Sequence, residues 1–251
     1  MIRVRAMQWL TRCALAATVL VIVCGALLWI AQRPMFDIRR IELRGAEGPL
    51  QHVSVAAVRA ALHAQGGNRL RGGYFTLRID EARRVFEAVP WVAAVSVRRA
   101  WPDRLVVTLA EHRVLGTWGD GRLLSDAGAL FVANAAEAEA DGALPGFNGP
   151  DRFAPEAARR FHEFTAALAP LHLAIDSIEV SERASWRLHT DSDQTFELGR
   201  DEPPGRIAQR LADLVTSYPL VLARAQAAPP RIDLRYANGF AVALPASHRK
   251  P

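Results

Sequence analysis

Residues Cys13–Ala31 read CALAATVLVIVCGALLWIA, nineteen residues without a charge. Wound as a helix at 1.5 Å per residue, the run is about 28 Å long, close to the hydrocarbon thickness of a bilayer. Arg12 and Gln32–Arg33 bound it, and Trp9 and Trp29 stand where interfacial aromatics belong. A cleaved leader has a shorter apolar core and an A-x-A-like site; cleavage after Ala31 would set bulky Trp29 three positions before the cut. The run therefore predicts one retained transmembrane helix over 13–31. Arg3, Arg5 and Arg12 precede it and Arg33, Arg39, Arg40 and Arg44 follow it, so the arginines alone do not orient it. Long domains translocate largely regardless of charge. The expected arrangement is a cytoplasmic tail over 1–12 and everything beyond the helix outside.

The rest of the chain holds no second stretch of this kind, which excludes a multi-span protein. Cys13 and Cys24 are the only cysteines, and both lie in the apolar run. The rest of the chain is free to occupy an oxidising compartment without mispairing. A disulfide scaffold, thiol catalysis and cysteine-based zinc sites are excluded there. Half the residues are hydrophobic and 23% are charged, so disorder as a whole is excluded too. The pI near 10 reflects a preference for arginine, since Lys250 is the only lysine. The acids all lie beyond residue 33, dispersed among the arginines, and no nucleic-acid partner is expected.

Residues 36–111 read as one β-α-α-β-β unit. Phe36–Arg44 is a strand with Ile41 and Leu43 on one face. Ser54 caps a helix carrying Val55, Val58 and Leu62, stopped by Gly66–Gly67. Asp80 is the second cap candidate, ahead of an apolar stripe of Ala82, Val85, Phe86 and Val89 that Pro90 ends. Val95 and Val97 alternate, Trp101-Pro102-Asp103-Arg104 turns the chain, and Leu105, Val107 and Leu109 alternate up to Glu111.

Residues 112–245 are strand-rich, with two helices inserted, and 246–251 are a polar tail. Gly119-Asp120-Gly121 marks a hairpin between Val114–Trp118 and Arg122–Ser125, and Asp126-Ala127-Gly128 is a turn before Leu130–Val132. Residues 134–150 read as an exposed loop. Pro155 opens a helix with Ala157, Phe161, Phe164 and Leu168 on one face. Strands are expected over 175–181, 185–190 and 195–198. Pro203–Pro204 open a second helix bearing Ile207, Leu211, Leu214 and Tyr218, which Pro219 ends or kinks. A last hairpin joins Arg231–Tyr236 to Phe240–Leu244. The fold class is α+β: a membrane helix, a small sheet with two helices on one face, and a β-rich domain with two helices.

No G-x-S-x-G, H-E-x-x-H, Walker A or G-x-G-x-x-G motif occurs. His189-Thr190-Asp191-Ser192-Asp193 offers metal-ligand types, but Asp191–Gln194 separates two strand patterns and reads as a turn. His162–Glu163 reads as solvated helix surface. Trp91, Trp101, Trp118 and Trp186 stand at strand or turn boundaries, where packing is the ordinary use of tryptophan. An anchored two-domain chain without a catalytic constellation points to binding. No cofactor, metal, small-molecule substrate or enzymatic activity is expected.

Pro90-Trp91-Val92, Val95–Leu105, Glu111, Trp118, Leu124, Asp126, Gly128 and Phe131 together resemble the FtsQ/DivIB cell-division family, in its proteobacterial FtsQ branch. Leu198-Gly199-Arg200, Arg206, Arg210-Leu211 and Asp233–Val242 continue the resemblance. It implies that 36–111 is a POTRA domain and that the protein is a non-catalytic bitopic scaffold of the divisome. The implied place is the bacterial inner membrane at the septum, with the folded domains periplasmic. The implied partners are the FtsB–FtsL pair and other division proteins, and the implied role is help in controlling septal wall synthesis. The implied contact residues are Arg183 and Trp186, then Arg235, Tyr236, Asn238, Phe240, Ala241, Val242, Ala243 and Leu244. A POTRA protein of outer-membrane assembly or secretion, handling client polypeptides, is the alternative; it would carry a C-terminal barrel, for which this chain has neither length nor strands.

The last hairpin carries a register expectation. Setting Ile232, Leu234 and Tyr236 on one face with Phe240, Val242 and Leu244 needs a three-residue loop, Ala237-Asn238-Gly239, with Gly239 left-handed. That register pairs 236 with 240, 234 with 242 and 232 with 244. It turns the N–H groups of Ala241 and Ala243 outward, where a partner strand could add.

Overall fold

The switch from one amphipathic β-α-α-β-β segment to a strand-rich segment reappears in the computed structural model, which describes residues 2–31, 37–64, 74, 77–140, 142–225, 228–236 and 239–243. The chain divides into two compact units, Met1–Glu111 and His112–Pro251.

Helix α1 spans Ile2–Ala31 and so begins well ahead of the apolar run. Leu15, Val19, Leu20, Val21, Ile22, Val23 and Trp29 are all exposed on it. At 100° per residue these positions reach every side of the helix, so the apolar surface runs right round. Side chains of α1 are described only for Arg12, 14–26 and Trp29; Cys13 and residues 27, 28, 30 and 31 of the expected span lie outside them. Among the described residues no helix is long and apolar enough to cross a membrane.

The rest of the first unit is β1 (Arg40–Gly45), α2 (Val55–Ala64), α3 (Ile79–Glu87), β2 (Val92–Ala100) and β3 (Arg104–Glu111). The sheet order is β1-β3-β2, with β1 parallel and β2 antiparallel to β3. Ser54 caps α2 as its spacing predicts, its Oγ accepting from the Ala57 N–H at 3.0 Å. Val58 is buried but Val55 is exposed, so the buried stripe of α2 is narrower than expected. Asp80 is not the cap of α3: the helix starts at Ile79, and Asp80 and Glu81 lie in its first turn, where they suit the positive helix end. Ala82, Val85, Phe86 and Val89 are buried, as are Val95, Leu105, Val107 and Leu109 of the sheet. The loop before α2 is tied to the end of β3 by one carboxylate. Glu111 accepts from the backbone N–H groups of Gln51 and His52 at 2.9 Å and of Val53 at 2.6 Å.

The second unit is one mixed sheet. Its strands are β4 (Val114–Trp118), β5 (Leu123–Ser125), β6 (Leu130–Phe131), β7 (Gly146–Asn148), β8 (Ile175–Val180), β9 (Trp186–Thr190), β10 (Thr195–Gly199), β11 (Arg231–Asp233) and β12 (Ala241–Ala243). The order is β12-β11-β10-β9-β8-β7-β4-β5-β6. Its helices are α4 (Ala135–Glu139), α5 (Ala154–Leu168) and α6 (Arg206–Ala225). Parallel neighbours need a crossover. Here α5 links β7 to β8 and α6 links β10 to β11, and both helices pack on the same apolar core.

Residues 134–150 are not a plain loop. Asn134 caps α4, its Oδ1 accepting from the Ala136 N–H, and β7 runs parallel between β4 and β8 in the middle of the sheet. Only Phe147 of β7 is buried. A three-residue strand with one apolar side chain, set between Pro145 and Pro150, carries no alternation to read. Gly116 makes the approach possible, since a Cβ there would run into the Pro145 carbonyl and the Phe147 ring. Pro219 does not end α6, which continues to Ala225. Asp201 supplies the cap, its Oδ1 accepting from the Ile207 N–H at 3.0 Å.

Registers sort the side chains into rows. Phe147, Ile178, Leu188, Phe196, Ile232 and Val242 stand side by side, strand to strand, on the helix-covered face. The neighbouring row on the open face is Asn148, Glu179, Arg187, Glu197, Asp233 and Ala241. Arg187 bridges Glu179 and Glu197 at 2.8 Å each, and Arg231 reaches Glu197 at 2.9 Å.

Candidate functional site

The β11–β12 hairpin forms one edge of the large sheet, and its register differs from the sequence expectation. Arg231 pairs with Ala243, Ile232 with Val242 and Asp233 with Ala241. The faces stay as expected, because the change is an even number of residues. The connection from Asp233 to Ala241 is longer than three residues for a physical reason: 234–236 are held by other groups. The Leu234 N–H donates to the Glu197 carbonyl at 2.9 Å, and Arg210 of α6 takes the Arg235 carbonyl at 3.3 Å. Arg235 folds back on Asp233, with Nε to Oδ1 at 2.8 Å and Nη2 to Oδ2 at 2.6 Å.

The new register inverts the expected direction of the edge groups. The Thr195 N–H bonds to the Pro230 carbonyl and the Leu234 N–H to the Glu197 carbonyl. In-plane groups alternate along a strand, so Ile232 and Leu234 face β10 while Arg231 and Asp233 face β12. Their partners Ala243 and Ala241 therefore point their N–H groups inward, and Val242 points its own outward.

Arg210 is the fastener of this corner. Its Nη1 donates to the Leu198 carbonyl at 2.7 Å and the Arg200 carbonyl at 3.1 Å, and its Nη2 to the Arg235 carbonyl. Burial first, and the Arg206 charge second, draw Arg210 below the ordinary guanidinium value. The Asp233 hydrogen bonds hold Arg235 well above that value, and the same pair lowers Asp233. Gly199 has φ +74°, and a Cβ there would stand 2.9 Å from Arg235 Cγ. Its missing side chain leaves the Arg235 stem room to lie back along the strand. A groove of about 330 Å3 opens beside the corner between Arg206, Arg210, Asp213, Leu234, Tyr236 and Phe240.

The residues expected at the interface divide into three groups. Tyr236 is 59% exposed on the rim of the groove. Arg235 is exposed, Phe240 is packed partly against the core, and Ala241, Val242 and Ala243 form the edge strand. Arg183 is exposed in the β8–β9 turn. Trp186 stands opposite Gly199, so that turn lies at the same end of the sheet as Leu234, two strand spacings or roughly 10 Å away. Trp186 itself is a correction: at 1% exposure it is among the largest fully buried side chains, with Arg160 over its ring at 4.9 Å, and it has no surface to offer. Asn238 and Leu244 lie outside the described residues. Arg210, Gly199 and Asp233 were not expected as functional. They stand within the Leu-Gly-Arg, Arg-Leu and Asp-Leu-Arg-Tyr runs, but nothing in those runs says that one guanidinium ties the three together.

Elsewhere the turn reading of Asp191 holds. It lies between β9 and β10 and its Oδ1 accepts from Ser192 Oγ at 3.2 Å. His162 Nε2 meets Asp126 Oδ1 at 2.6 Å on exposed surface.

Fold and edge together define a class: a small POTRA-type unit followed by a mixed-sheet domain that ends in an open strand. Comparison with known proteins agrees. Residues 36–112 match "POTRA domain, FtsQ-type", and residues 116–235 match "Cell division protein FtsQ/DivIB, C-terminal". Similar relatives described as "Cell division protein FtsQ" include one from Burkholderia pseudomallei, 38% identical over 90% of this chain and 87% of its own. Another, from Bordetella pertussis, is 34% identical over 94% of both chains, and one from Neisseria gonorrhoeae is 27% identical over 94% and 92%. The chain belongs to the FtsQ/DivIB family of cell-division proteins.

Proposed function

We propose that this protein is a non-catalytic, single-pass scaffold of the divisome, anchored by 13–31 in the inner membrane with its two folded units in the periplasm. Its partner surface is the β12 edge with the rim beside it, and the partners are the FtsB–FtsL pair. The observation that carries this reading is the edge itself. Val242 turns its backbone groups away from the sheet, next to exposed Tyr236 and a groove with apolar and basic walls. A partner strand added to β12 would extend the ladder by β-augmentation, and side chains in the groove would give it specificity. Arg183 extends the surface along the same end of the sheet. Membrane anchoring is supported by the nineteen-residue charge-free run and by the apolar surface that α1 exposes on all sides.

Two measurements test the reading. Tagged full-length protein solubilised from membranes should retain FtsB and FtsL on affinity purification. Recovery of barrel-assembly proteins in their place would favour the client-handling alternative. A reporter active only in the periplasm, fused after Pro251, should be active; activity of a cytoplasm-only reporter there would reverse the topology.

A further inference from the structure

The POTRA sheet has a second face, turned away from α2 and α3, and it is lined with arginine. Strand pairing sets Arg40, Arg104 and Ala100 in one row, Glu42, Val106 and Arg98 in the next, and Arg44, Thr108 and Ser96 in the third. The arginines are exposed, with Arg40 at 73% and Arg44 at 53% of their side-chain surface. Val106 at the centre is nevertheless buried, the pattern of arginine stems covering an apolar residue with their heads in water. Two carboxylates share the face, and both are committed: Glu42 to Arg44 at 2.6 Å and Asp103 to Arg40 at 3.8 Å. Arg98 and Arg104 have no carboxylate of their own among the described residues, and their charges add to that of Arg44 in lowering Glu42. At the Ala100 end stands Trp101, 59% exposed, with Tyr74 edge-on to its ring at 5.6 Å.

Chain length supplies the occupant. Arg40 stands nine positions after Ala31, the last residue of α1, an extended reach of at most about 32 Å. Given the anchoring proposed above, on which this inference rests, the arginine face can never be far from the bilayer surface. Arginine heads beside an exposed tryptophan are the side chains that suit anionic headgroups and the interface beneath them. We propose that the Arg40–Arg44–Arg98–Arg104 face, with Trp101 at its corner, docks on anionic lipid headgroups and holds the POTRA unit against the membrane.

The test uses the full chain with Cys13 and Cys24 changed to alanine, in nanodiscs of phosphatidylcholine with or without about a third phosphatidylglycerol. Spin labels are placed singly through Ser96→Cys on the arginine face, Ala60→Cys on α2 and Val21→Cys in α1. Accessibility is read against oxygen, which partitions into lipid, and a water-soluble nickel chelate. The Ser96 label should lose several-fold accessibility to nickel in anionic discs only, while the Ala60 label stays in water. Arg98→Glu with Arg104→Glu should return the Ser96 label to water, and the milder Arg98→Gln with Arg104→Gln should do so in part, each with an unchanged far-UV spectrum. A Ser96 label in water in both discs, with the Val21 label in lipid, overturns the docking and leaves the anchor standing. A Val21 label in water overturns the anchor and the docking with it. Protection that appears only when membrane proteins are added assigns the face to an acidic protein partner and overturns the lipid assignment.

Discussion

Ala241 stands opposite Asp233, and that pairing decides which backbone groups the last strand offers to solvent. Because Asp233 faces β12 in the plane of the sheet, Ala241 and Ala243 give their N–H groups to β11. Proline at either should remove a ladder bond and cost about 1 kcal/mol or more. Val242→Pro removes an N–H that faces away from the sheet, which an edge strand tolerates. Thermal melting should therefore fall for Ala241→Pro and Ala243→Pro and stay nearly level for Val242→Pro. Pull-down of a periplasmic FtsB segment should fail for Val242→Pro. Full capture by that variant would leave side-chain docking, without strand addition, as the binding mode.

Tyr236 and Trp186 should separate binding from stability. Tyr236→Ala removes an exposed ring, so its melting temperature should match that of the parent while partner capture weakens, by roughly 2 kcal/mol if the ring is a central anchor. Trp186→Ala empties a fully buried site and should cost about 3–5 kcal/mol of stability. A drop in melting temperature for Tyr236→Ala comparable to that of Trp186→Ala would remove Tyr236 from the interface.

Arg210→Lys tests the fastener. One ammonium cannot span the Leu198, Arg200 and Arg235 carbonyls as a guanidinium does. The expected loss is about 1–2 kcal/mol, with weaker capture, because the segment leading to Tyr236 loses its tie. Gly199→Ala should act in the same direction, by crowding Arg235 and straining a backbone at φ +74°. Unchanged melting and capture in both variants would show that the corner holds without them.

Glu111 gives the POTRA unit a pH dependence. Burial works to raise its carboxyl, but the backbone N–H groups of Gln51, Val53 and His52 outweigh it and hold the group below the usual range. A depressed carboxyl contributes stability that is present above its unfolded value and lost as pH falls through the folded one. Melting of the parent should fall on acidification below about pH 4.5, and Glu111→Gln should lower melting at neutral pH and flatten that part of the profile. An equal acid dependence in the variant would assign the effect to other carboxylates.

Periodicity made most of the frame legible. The stripes of α3, α5 and α6 and the alternation of β3 name buried residues directly, because each repeats over several turns or pairs. What failed to show was short or held from a distance. Phe147 is the single buried residue of β7, and the neighbours that make β7 a strand are far off in sequence. The last hairpin kept its faces but not its register, since Arg210, 25 residues before Arg235 in the chain but bonded to its carbonyl, fixes the backbone that a loop rule would have left free. Trp186 matched the family pattern for a contact, yet only burial separates a core ring from a displayed one.

The crossover through α6 has a consequence for the order in which the molecule is made. A chain emerging N-terminus first lays down β10, then α6, then β11, and β12 last of the described strands. Until β12 arrives, the rim of the sheet belongs to β11, whose outward groups are those of Arg231 and Asp233. That provisional rim has a different sequence and lacks Val242. On the proposed docking at β12, competence for the partner begins only once residue 243 has been made and has zipped into place, so that rim would double as a mark that the domain behind it is finished.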